Sequence, residues 1–434
     1  MEKISLKSIV VSVLTWESRL VLKKFKPKIV AVTGSVGKTT TKDTIYAVLS
    51  NTYHTRKSTK SFNSELGVPL TILGCPSGWN NLFLWIKNIF VGFYIIIFSQ
   101  KYPKWLVLEV GADRPGDIEK ITHWIKPDIT VITRFSKVPV HVEYFSSPEA
   151  VIKEKLFLAR ALKRDGVLIV NGDDPDALSF KNEHGGTTII YGENGNANLT
   201  ASNYSVIYEK KDGAEVPSGI NFKVDYLGNS VPIFIHGSVG HQHVYTILAA
   251  IGVGISQNLN IVKMADALGK YRPPLGRMKL LEGVKNSIII DDTYNSSPVA
   301  LAEALKTIKQ IKTTNRKIAV LGDMLELGKY SMDEHKNAGK LVGEICDILI
   351  TVGIRARYFA EGALNEGMGE KNIFQFDDPR EAGKYLENII EKGDVVLAKG
   401  SQGTRMEKAL EEVIAHPELK ENLLVRQGKE WQKR

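Results

Sequence analysis

One short segment near the start of the chain limits its fold more than any other feature. An apolar run over Ile29–Thr33 leads into the sequence GSVGKTT at positions 34–40, and a helical pattern covers Thr41–Leu49. A buried strand, a glycine turn with Gly-Lys-Thr and a helix together predict a phosphate-binding loop, in which backbone N–H groups and the helix N-terminus hold phosphates. We therefore expect nucleotide contacts from Gly34, Ser35, Val36, Gly37, Lys38, Thr39 and Thr40, with Lys38 on the terminal phosphates and the Thr39 hydroxyl on magnesium.

Short apolar runs alternate with helical patterns along most of the chain. The runs are Lys28–Thr33, Trp105–Val110, Ile129–Thr133, Gly166–Asn171, Ser287–Asp291, Lys317–Gly322, Ile348–Gly353 and Val395–Lys399. This alternation predicts an α/β fold with mostly parallel sheets covered by helices on both faces. Between Thr187 and His236 the helical patterns stop and short alternating runs with Gly, Asn and Asp turns take over, which predicts an antiparallel insertion.

The segment Tyr271–Arg277 is rich in proline and glycine and is predicted to be a linker. We therefore expect residues 1–27 to form an N-terminal amphipathic helix and residues 28–272 a central ATP-binding domain. Residues 75–101 would be an apolar insertion within that domain. Residues 273–434 would form a C-terminal, Rossmann-like α/β domain.

Charge and cysteine content exclude several classes of protein. The chain has 434 residues, 57 Lys and Arg against 48 Asp and Glu, a net charge of +9, and two cysteines, Cys75 and Cys346, far apart in sequence. A disulfide scaffold and a zinc cluster are excluded, and the cysteine content fits a reducing cytoplasm. The basic excess suits anionic ligands or an anionic membrane surface but is too diffuse for nucleic acid. We expect a cytoplasmic, monomeric protein that does not bind nucleic acid.

Two apolar segments, 4–22 and 82–98, need a partner. The first is basic and amphipathic, and the second is nearly all apolar and approaches the length of a membrane span. A single crossing by the second segment would place Lys38 and Glu109 on opposite sides of the membrane, which argues against spanning. The remaining alternatives are helices packed on the protein and helices lying on anionic lipid. We expect the two segments to form one unit, either mutually packed or lipid-facing.

Several motifs resemble those of the Mur ligase family, in family order. They are TGSVGKTT at 33–40, FNSELGVP at 62–69, LEVGA at 108–112, VHVEYFSS at 140–147 and IVNGDD at 169–174. The later motifs PLGR at 274–277, IDDTYNSSP at 290–298, VLGDMLELG at 320–328 and KGS at 399–401 are similar to the MurF branch, which adds D-alanyl-D-alanine to a UDP-muramoyl-tripeptide of peptidoglycan. The resemblance covers about residues 28–415.

The resemblance implies an ATP-dependent ligase that activates a carboxylate as an acyl phosphate, with two magnesium ions and a carbamylated lysine. Two lysines compete for that modification, and alignment from Phe145 favours Lys155 over Lys153. The implied catalytic residues are Lys38, Glu109, His141, Lys155 and Arg277, and the implied metal ligands are Thr39, Glu109 and His141. The nucleotide would also contact Arg277, His243, Asp292, Tyr294 and Asn295, and the other substrates would contact Asn63, Lys399 and Ser401.

Three departures from the family pattern concern the substrates. Full-length members carry an N-terminal domain of about a hundred residues that binds the UDP-sugar, whereas here the phosphate loop begins at residue 33, so we expect that domain to be absent. The adenine segment G-x-H-N-x-x-N reads GHQHVYT at 240–246, and K-G-S-R reads KGSQ at 399–402, with Arg405 as a substitute arginine. The donor could therefore be a small-molecule or a lipid-linked muramoyl peptide, with a D-Ala-D-Ala-like amine as acceptor.

Three alternatives stay open. One is a folylpolyglutamate-like or poly-γ-glutamate-type ligase, because such enzymes also lack the UDP-sugar domain. A second is a non-catalytic, nucleotide-binding scaffold of the wall machinery, located in the cytoplasm at the inner membrane face. The third is a P-loop kinase or GTPase, although the chain has no N-K-x-D motif for guanine.

Overall fold

The computed structural model describes residues 6–195, 197–211, 213–428 and 431. In these residues the strands form a nine-stranded and a six-stranded sheet. The first sheet contains β1 Lys28–Thr33, β2 Thr55–Lys57, β3 Trp105–Glu109, β4 Ile129–Ile132, β5 Val167–Asn171, β6 Thr187–Gly192, β7 Leu199–Lys211, β8 Ala214–Tyr226 and β9 Asn229–His236. The second contains β10 Lys279–Glu282, β11 Ile288–Asp292, β12 Lys317–Gly322, β13 Ile348–Val352, β14 Ile373–Phe376 and β15 Val395–Lys399.

Helices cover both faces of the two sheets. With the first sheet go α1 Leu6–Phe25, α2 Lys38–Ser50, α3 Gly67–Leu73, α4 Leu82–Ile97, α5 Asp117–Thr122, α6 Pro148–Arg160, α7 Pro175–Ser179, α8 Gln242–Ser256 and α9 Ile261–Gly269. With the second go α10 Pro298–Gln310, α11 Ser331–Ile345, α12 Arg357–Asn365, α13 Pro379–Ile389, α14 Glu407–Leu410 and α15 Lys420–Leu423.

The central strand β1 shows why its sequence is apolar throughout. Alternate side chains point to opposite faces of a strand, so Val30 and Val32 pack with α2 and α8 while Ile29 and Ala31 pack with α1 and α3. Both faces are covered by helices, and these four side chains are at most 5% exposed. The parallel order β2-β3-β1-β4-β5-β6 then brings the C-terminal ends of β1, β3 and β4 to one edge. That edge is where open parallel sheets bind their ligands.

The predicted α/β fold is confirmed, with two differences of detail. Thr187–Gly192 was expected to begin an antiparallel insertion, but β6 pairs parallel with both β5 and β7. The antiparallel pairs of this region are β7–β8 and β8–β9, in the same sheet. The residue pattern of β6 resembles that of a strand with one face buried, as is common in antiparallel sheets. The sequence therefore did not reveal which strand it pairs with. Helix α9 was also not predicted, because its nine residues are short for a helical pattern.

The described part of the first apolar segment and the second segment form adjacent helices, α1 and α4, while residues 4 and 5 lie outside the described residues. The Trp16 and Phe93 rings lie 6.0 Å apart, and Lys24 Nζ donates to the carbonyl oxygens of Ile96 and Ser99 at 2.8 Å each. A cation at that place stabilises the C-terminal end of α4, whose carbonyl groups carry partial negative charge. The expected mutual packing is therefore confirmed, whereas contact with lipid stays a prediction. No helix in the described part of the chain is long and apolar enough to span a bilayer.

Both cysteines are free and buried. Burial raises the pKa of the Cys75 thiol to about 11 and that of Cys346 to about 12. These thiols are therefore protonated at neutral pH and pack as small apolar side chains.

Candidate active site

The predicted phosphate loop joins the end of β1 to the start of α2. Gly34 and Gly37 have φ angles of 143° and 86°, and a Cβ on Gly34 would lie 1.9 Å from Thr133 Oγ1, so glycine is required there. No side chain caps the N-terminus of α2, which leaves its first N–H groups available to phosphate oxygens. Lys38 Nζ donates to the Gly34 carbonyl oxygen at 2.8 Å and so lies over the loop.

Glu109 ends β3 next to this loop and has an unsatisfied oxygen. Its Oε1 accepts from the Thr39 hydroxyl and from Asn63 Nδ2, both at 3.2 Å, whereas its buried Oε2 has no partner. Strand register explains the position, because Glu109 lies directly beside Val32 at the end of β1. A buried carboxylate oxygen without a partner, beside a hydroxyl, suits a hard divalent cation. Asn63, which was predicted to contact substrate, orients Glu109 through this hydrogen bond, and its contact with substrate stays a prediction.

Lys155 on α6 is buried and Lys153 is exposed. The Lys155 ammonium lies 3.3 Å from Ser35 Oγ and 5.7 Å from the centre of the Phe135 ring. Burial, with a smaller contribution from the nearby Lys38, holds the pKa of Lys155 well below its usual range. Lys155 is therefore deprotonated more readily than an ordinary lysine, and the neutral amine is its nucleophilic form.

The second sheet contributes an arginine and a tyrosine to the same cleft. Arg277 follows the linker, and its Cζ lies 4.0 Å from the centre of the Tyr294 ring, with its buried Nε without a hydrogen-bond partner. The Tyr294 hydroxyl donates to Ser61 Oγ at 2.8 Å, which ties the second domain to the first. Ser61 Oγ in turn lies 2.8 Å from Thr39 Oγ1. The arginine is therefore held near the phosphate loop from across the domain boundary.

Asp292 and Lys399 form a buried ion pair with Nζ to Oδ2 of 2.6 Å. They end two neighbouring parallel strands, β11 and β15, and lie in the same register. Lys399 also donates to the Asn295 carbonyl oxygen at 2.8 Å. Lys399, predicted to contact the incoming substrate, has its ammonium on Asp292, a predicted nucleotide residue, and its contact with substrate stays a prediction. Ser401, two residues on, accepts a hydrogen bond from the Leu325 amide at 2.8 Å.

His141 has a left-handed backbone, with φ of 72°, and its ring lies between two carboxylates. Its Nδ1 is 2.8 Å from Glu326 Oε2 and its Nε2 is 3.5 Å from Asp113 Oδ1. Glu326 belongs to the second domain, and its contact with His141 lowers the pKa of the Glu326 carboxyl. The predicted metal ligand is thus part of a second contact between the two domains.

His243 lies at the wall of the cleft where the adenine segment was predicted. It is 2% exposed, its Nε2 has no partner, and burial lowers its pKa to about 4. The ring is therefore neutral at pH 7 and can donate or accept one hydrogen bond with a base.

These side chains line one cleft of about 1160 Å³ between the two sheets. The lining includes every predicted site residue except Gly34, and it includes Arg405, the expected substitute arginine. It also adds residues that the sequence analysis missed, among them Ser61, Asp113, Glu326 and Trp431. Ser61 and Asp113 lie next to family motifs and Glu326 lies inside one. The sequence did not reveal that their side chains point into the cleft. In the described ranges no three His, Cys, Asp or Glu side chains are grouped to hold a metal ion.

The far end of the chain also contacts this cleft. Arg405 and Arg426 lie 5.4 and 5.8 Å from the centre of the Trp431 ring, and Trp431 meets Trp79 edge-on at 5.7 Å. Trp79 belongs to the loop before α4. The last described residue therefore joins the apolar insertion to the second domain.

Comparison with known proteins gives consistent matches. The Mur ligase middle domain matches residues 32–84 and 90–254, and the Mur ligase glutamate ligase domain matches residues 276–402. The UDP-N-acetylmuramoyl-tripeptide–D-alanyl-D-alanine ligase of Bacillus subtilis is 29% identical over 397 residues, which is 91% of this chain and 78% of that protein. The Escherichia coli ligase of the same name is 24% identical over 388 residues, covering 88% and 76%.

Solved structures agree at the level of fold. MurF ligase from Thermotoga maritima, in complex with ADP, has a TM-score of 0.74 at 24% identity and covers 95% of this chain and 84% of its own. Folylpolyglutamate synthase from the same organism has a TM-score of 0.58 at 14% identity, covering 94% and 97%. Because the two family models together account for both sheets and the cleft between them, this chain belongs to the Mur ligase family.

Proposed function

We propose that this chain is an ATP-dependent ligase of the MurF type, which forms an amide between a muramoyl-peptide carboxylate and D-alanyl-D-alanine or a similar amine. One observation supports the proposal most strongly. Lys38 from one domain and Arg277 from the other line the same cleft, together with Glu109. The relatives whose sequences cover most of this chain bear the name of that reaction.

The cleft suits ATP with its terminal phosphate between the two domains. The loop amides and Lys38 would hold the β- and γ-phosphates, and Arg277 would approach the γ-phosphate from the opposite side. Both cations offset the charge that develops during phosphoryl transfer. The base would contact His243, and Asp292, Tyr294 and Asn295 would flank the ribose and base.

Magnesium fits the residues present. Glu109 Oε2 and the Thr39 hydroxyl are hard oxygen donors beside the phosphate loop, and Mg²⁺ commonly takes one or two protein oxygens with phosphates and waters as its other ligands. When bound, the ion supplies positive charge near the transferring phosphoryl group. His141 would help to hold a second ion once its contacts with Glu326 and Asp113 rearrange.

The reaction proceeds in two balanced steps. The donor carboxylate attacks the γ-phosphorus, and the bond to the β-phosphate oxygen breaks, giving an acyl phosphate and ADP. The neutral amine then attacks the acyl carbon, loses a proton and expels inorganic phosphate. Ser401 and the Lys399–Asp292 pair line the same cleft and would position the acceptor relative to the nucleotide.

We also propose that Lys155 is carbamylated. Its neutral amine would attack CO₂ and release one proton, which converts a buried base into a carboxylate-like group. That anion would lie near Lys38 and Ser35 and offset the positive charge of the loop. Intact-protein mass spectrometry in bicarbonate buffer should show the mass of one added CO₂, lost in Lys155→Ala and kept in Lys153→Ala.

One observation favours a second candidate, a folylpolyglutamate-type ligase. The folylpolyglutamate synthase from Thermotoga maritima is covered over 97% of its length, against 84% for the MurF ligase from the same organism. The donor carboxylate would then be a folate or a glutamyl chain. For a MurF-type reaction, the muramoyl peptide could be carried on UDP or on a lipid at the inner membrane face.

ADP release over a panel of donors tests the proposal. Purified protein receives ATP, Mg²⁺ and either UDP-muramoyl-tripeptide with D-Ala-D-Ala, or folate or a glutamyl peptide with glutamate. We expect ADP and a ligated product only with the muramoyl donor. Product with folate alone would establish the second candidate, and ATP binding without turnover on any donor would establish a non-catalytic nucleotide-binding protein.

A further inference from the structure

The largest exposed apolar surface of the described chain lies on α4 and its neighbour α1. Of 19 exposed large apolar side chains, 11 belong to α1, to α4 or to the residues flanking α4. Phe83 is 84% exposed, Phe90 68% and Phe98 67%. The other eight are scattered singly over the molecule, as is usual on protein surfaces. This exposed apolar face consists of Trp16, Leu82, Phe83, Ile86, Phe90, Phe93, Tyr94, Ile97 and Phe98.

Helical geometry makes this face continuous. At 100° per residue, the exposed apolar side chains of α4 cover an arc of about 120°. The opposite side of the helix carries Asn88 and Gly92, which are buried against the protein. Trp16 extends the face onto α1 through its contact with Phe93. One side of α4 is therefore fixed by the protein and the other has no cover.

The exposed charged side chains of α1 and of residues 75–104 are of one sign. Residues 75–104 contain no Asp or Glu, and the single acidic residue of α1, Glu17, is buried. Exposed lysines lie on α4 and at or just beyond the C-terminal ends of α1 and α4, namely Lys23, Lys24, Lys26, Lys87, Lys101 and Lys104. Lys87 lies on the flank of the apolar arc, where its long stem can lie along apolar side chains while the ammonium reaches outward.

We propose that this face docks in the plane of an anionic membrane, with the α4 aromatic side chains at the boundary between headgroups and acyl chains. An amphipathic helix with a basic margin and aromatic apolar residues is suited to that position. A second copy of the chain would bring two basic margins together, and their repulsion opposes such a dimer. Anionic headgroups instead attract the lysines, each of which strengthens binding roughly fivefold near the surface.

This proposal is independent of the ligase activity, and vesicle flotation tests it. The 434-residue chain is mixed with vesicles of phosphatidylcholine alone or with one-third phosphatidylglycerol and floated at low and high salt. We expect flotation with the anionic vesicles, weakened at least tenfold in the double variant Phe83→Ser/Phe90→Ser. Both side chains are exposed, so folding should be kept, and circular dichroism checks this.

Two matched controls separate the apolar and charged contributions. Leu227→Ser/Ile354→Ser removes two exposed apolar side chains elsewhere, 79% and 75% exposed, and should leave flotation unchanged. Lys23→Gln/Lys101→Gln should weaken binding to anionic vesicles at least tenfold and reduce the salt dependence of that binding. Lys371→Gln/Lys392→Gln carries the same net charge and should have no effect.

Two results would overturn the proposal. One is absence of flotation with every vesicle composition at low salt. The other is a stable dimer in analytical ultracentrifugation that Phe83→Ser/Phe90→Ser dissociates, because the face would then be covered by a second copy.

Discussion

The cleft and the α1–α4 pair both break the ordinary rule that charges lie outside and apolar groups inside, but in opposite ways. In the cleft, the buried charged groups are of two kinds. Lys399 is paired with the oppositely charged Asp292, whereas one oxygen of Glu109 has no hydrogen-bond partner. In the α1–α4 pair, apolar rings are exposed and the one buried carboxyl, Glu17, has no partner at either oxygen. The first arrangement is suited to a charged ligand, and the second to an apolar surface.

The largest expected effect tests whether the charges of the cleft serve chemistry. Lys38→Ala should lower the rate of ADP release by about 10²–10³, since one group that offsets transition-state charge commonly contributes that much. Steady-state kinetics with the accepted donor measures it, and the exposed Lys392→Ala is the control. A Lys38→Ala rate within tenfold of the wild-type rate would contradict the assignment.

A somewhat smaller effect is expected at the second buried lysine. Lys155→Ala should lose about 10² in rate and recover part of it when a short carboxylate such as acetate occupies the vacated space, because a carbamate is an anion at that place. Lys153→Ala, two residues away and exposed, should keep the wild-type rate. If Lys153→Ala is the inactive and rescuable variant, the assignment of the modified lysine is wrong.

The third prediction concerns the other region and its pH dependence. Burial raises the pKa of Glu17 from 4.5 to about 7, so the native state keeps a proton that the unfolded state releases. The contribution of Glu17 to stability is therefore full below pH 4.5 and is lost as the pH rises to about 7. Each pKa unit corresponds to about 1.4 kcal/mol, which gives a loss of about 1–3 kcal/mol after allowance for local relaxation.

Glu17→Gln removes this titration and gives the measurement. The difference in opening free energy of α1 between wild type and variant, from amide hydrogen exchange, should shift in favour of the variant between pH 5 and pH 8. The exposed Glu366→Gln serves as the control. A difference that stays constant over this range would show that Glu17 ionises as freely in the folded protein as in the unfolded chain.

The smallest expected effect is at the end of α4. Lys24→Met should cost about 1 kcal/mol in the opening free energy of α4, because it removes a cation that donates to the last carbonyls of that helix. Lys23→Met, one residue away and exposed, is the matched control. Equal effects of the two substitutions would contradict the capping role.

The sequence predicted the fold and the phosphate loop well because those features depend on local pattern. Strand β1 and the helix after Gly37 each follow from adjacent residues. It did not predict what each site residue contacts. Lys399 and Asp292 are 107 positions apart, and only the pairing of β11 with β15 makes them neighbours in register. A nonconsecutive strand order carries no local signal, so the ion pair could not be seen in the sequence.

The same reason explains His141 and Glu326. Each belongs to a recognised motif, but the two motifs lie on different domains, and their contact depends on how the domains meet. The unpaired position of Glu17 was equally hidden, because it requires α1 and α4 to pack, and Gly92 lies so close that a Cβ there would be 2.2 Å from Glu17 Oε2.

The contact between Trp79 and Trp431 connects the α1–α4 pair to the cleft. Trp79 begins the segment that leads into α4, and Trp431 lines the cleft and lies on Arg426, which donates to the backbone of Tyr294. If a nucleotide stabilises this end of the cleft and a bilayer holds the neighbouring loop, both would act on the same pair of rings. Reciprocal linkage then requires that the factor by which lipid changes nucleotide affinity equals the factor by which nucleotide changes lipid affinity.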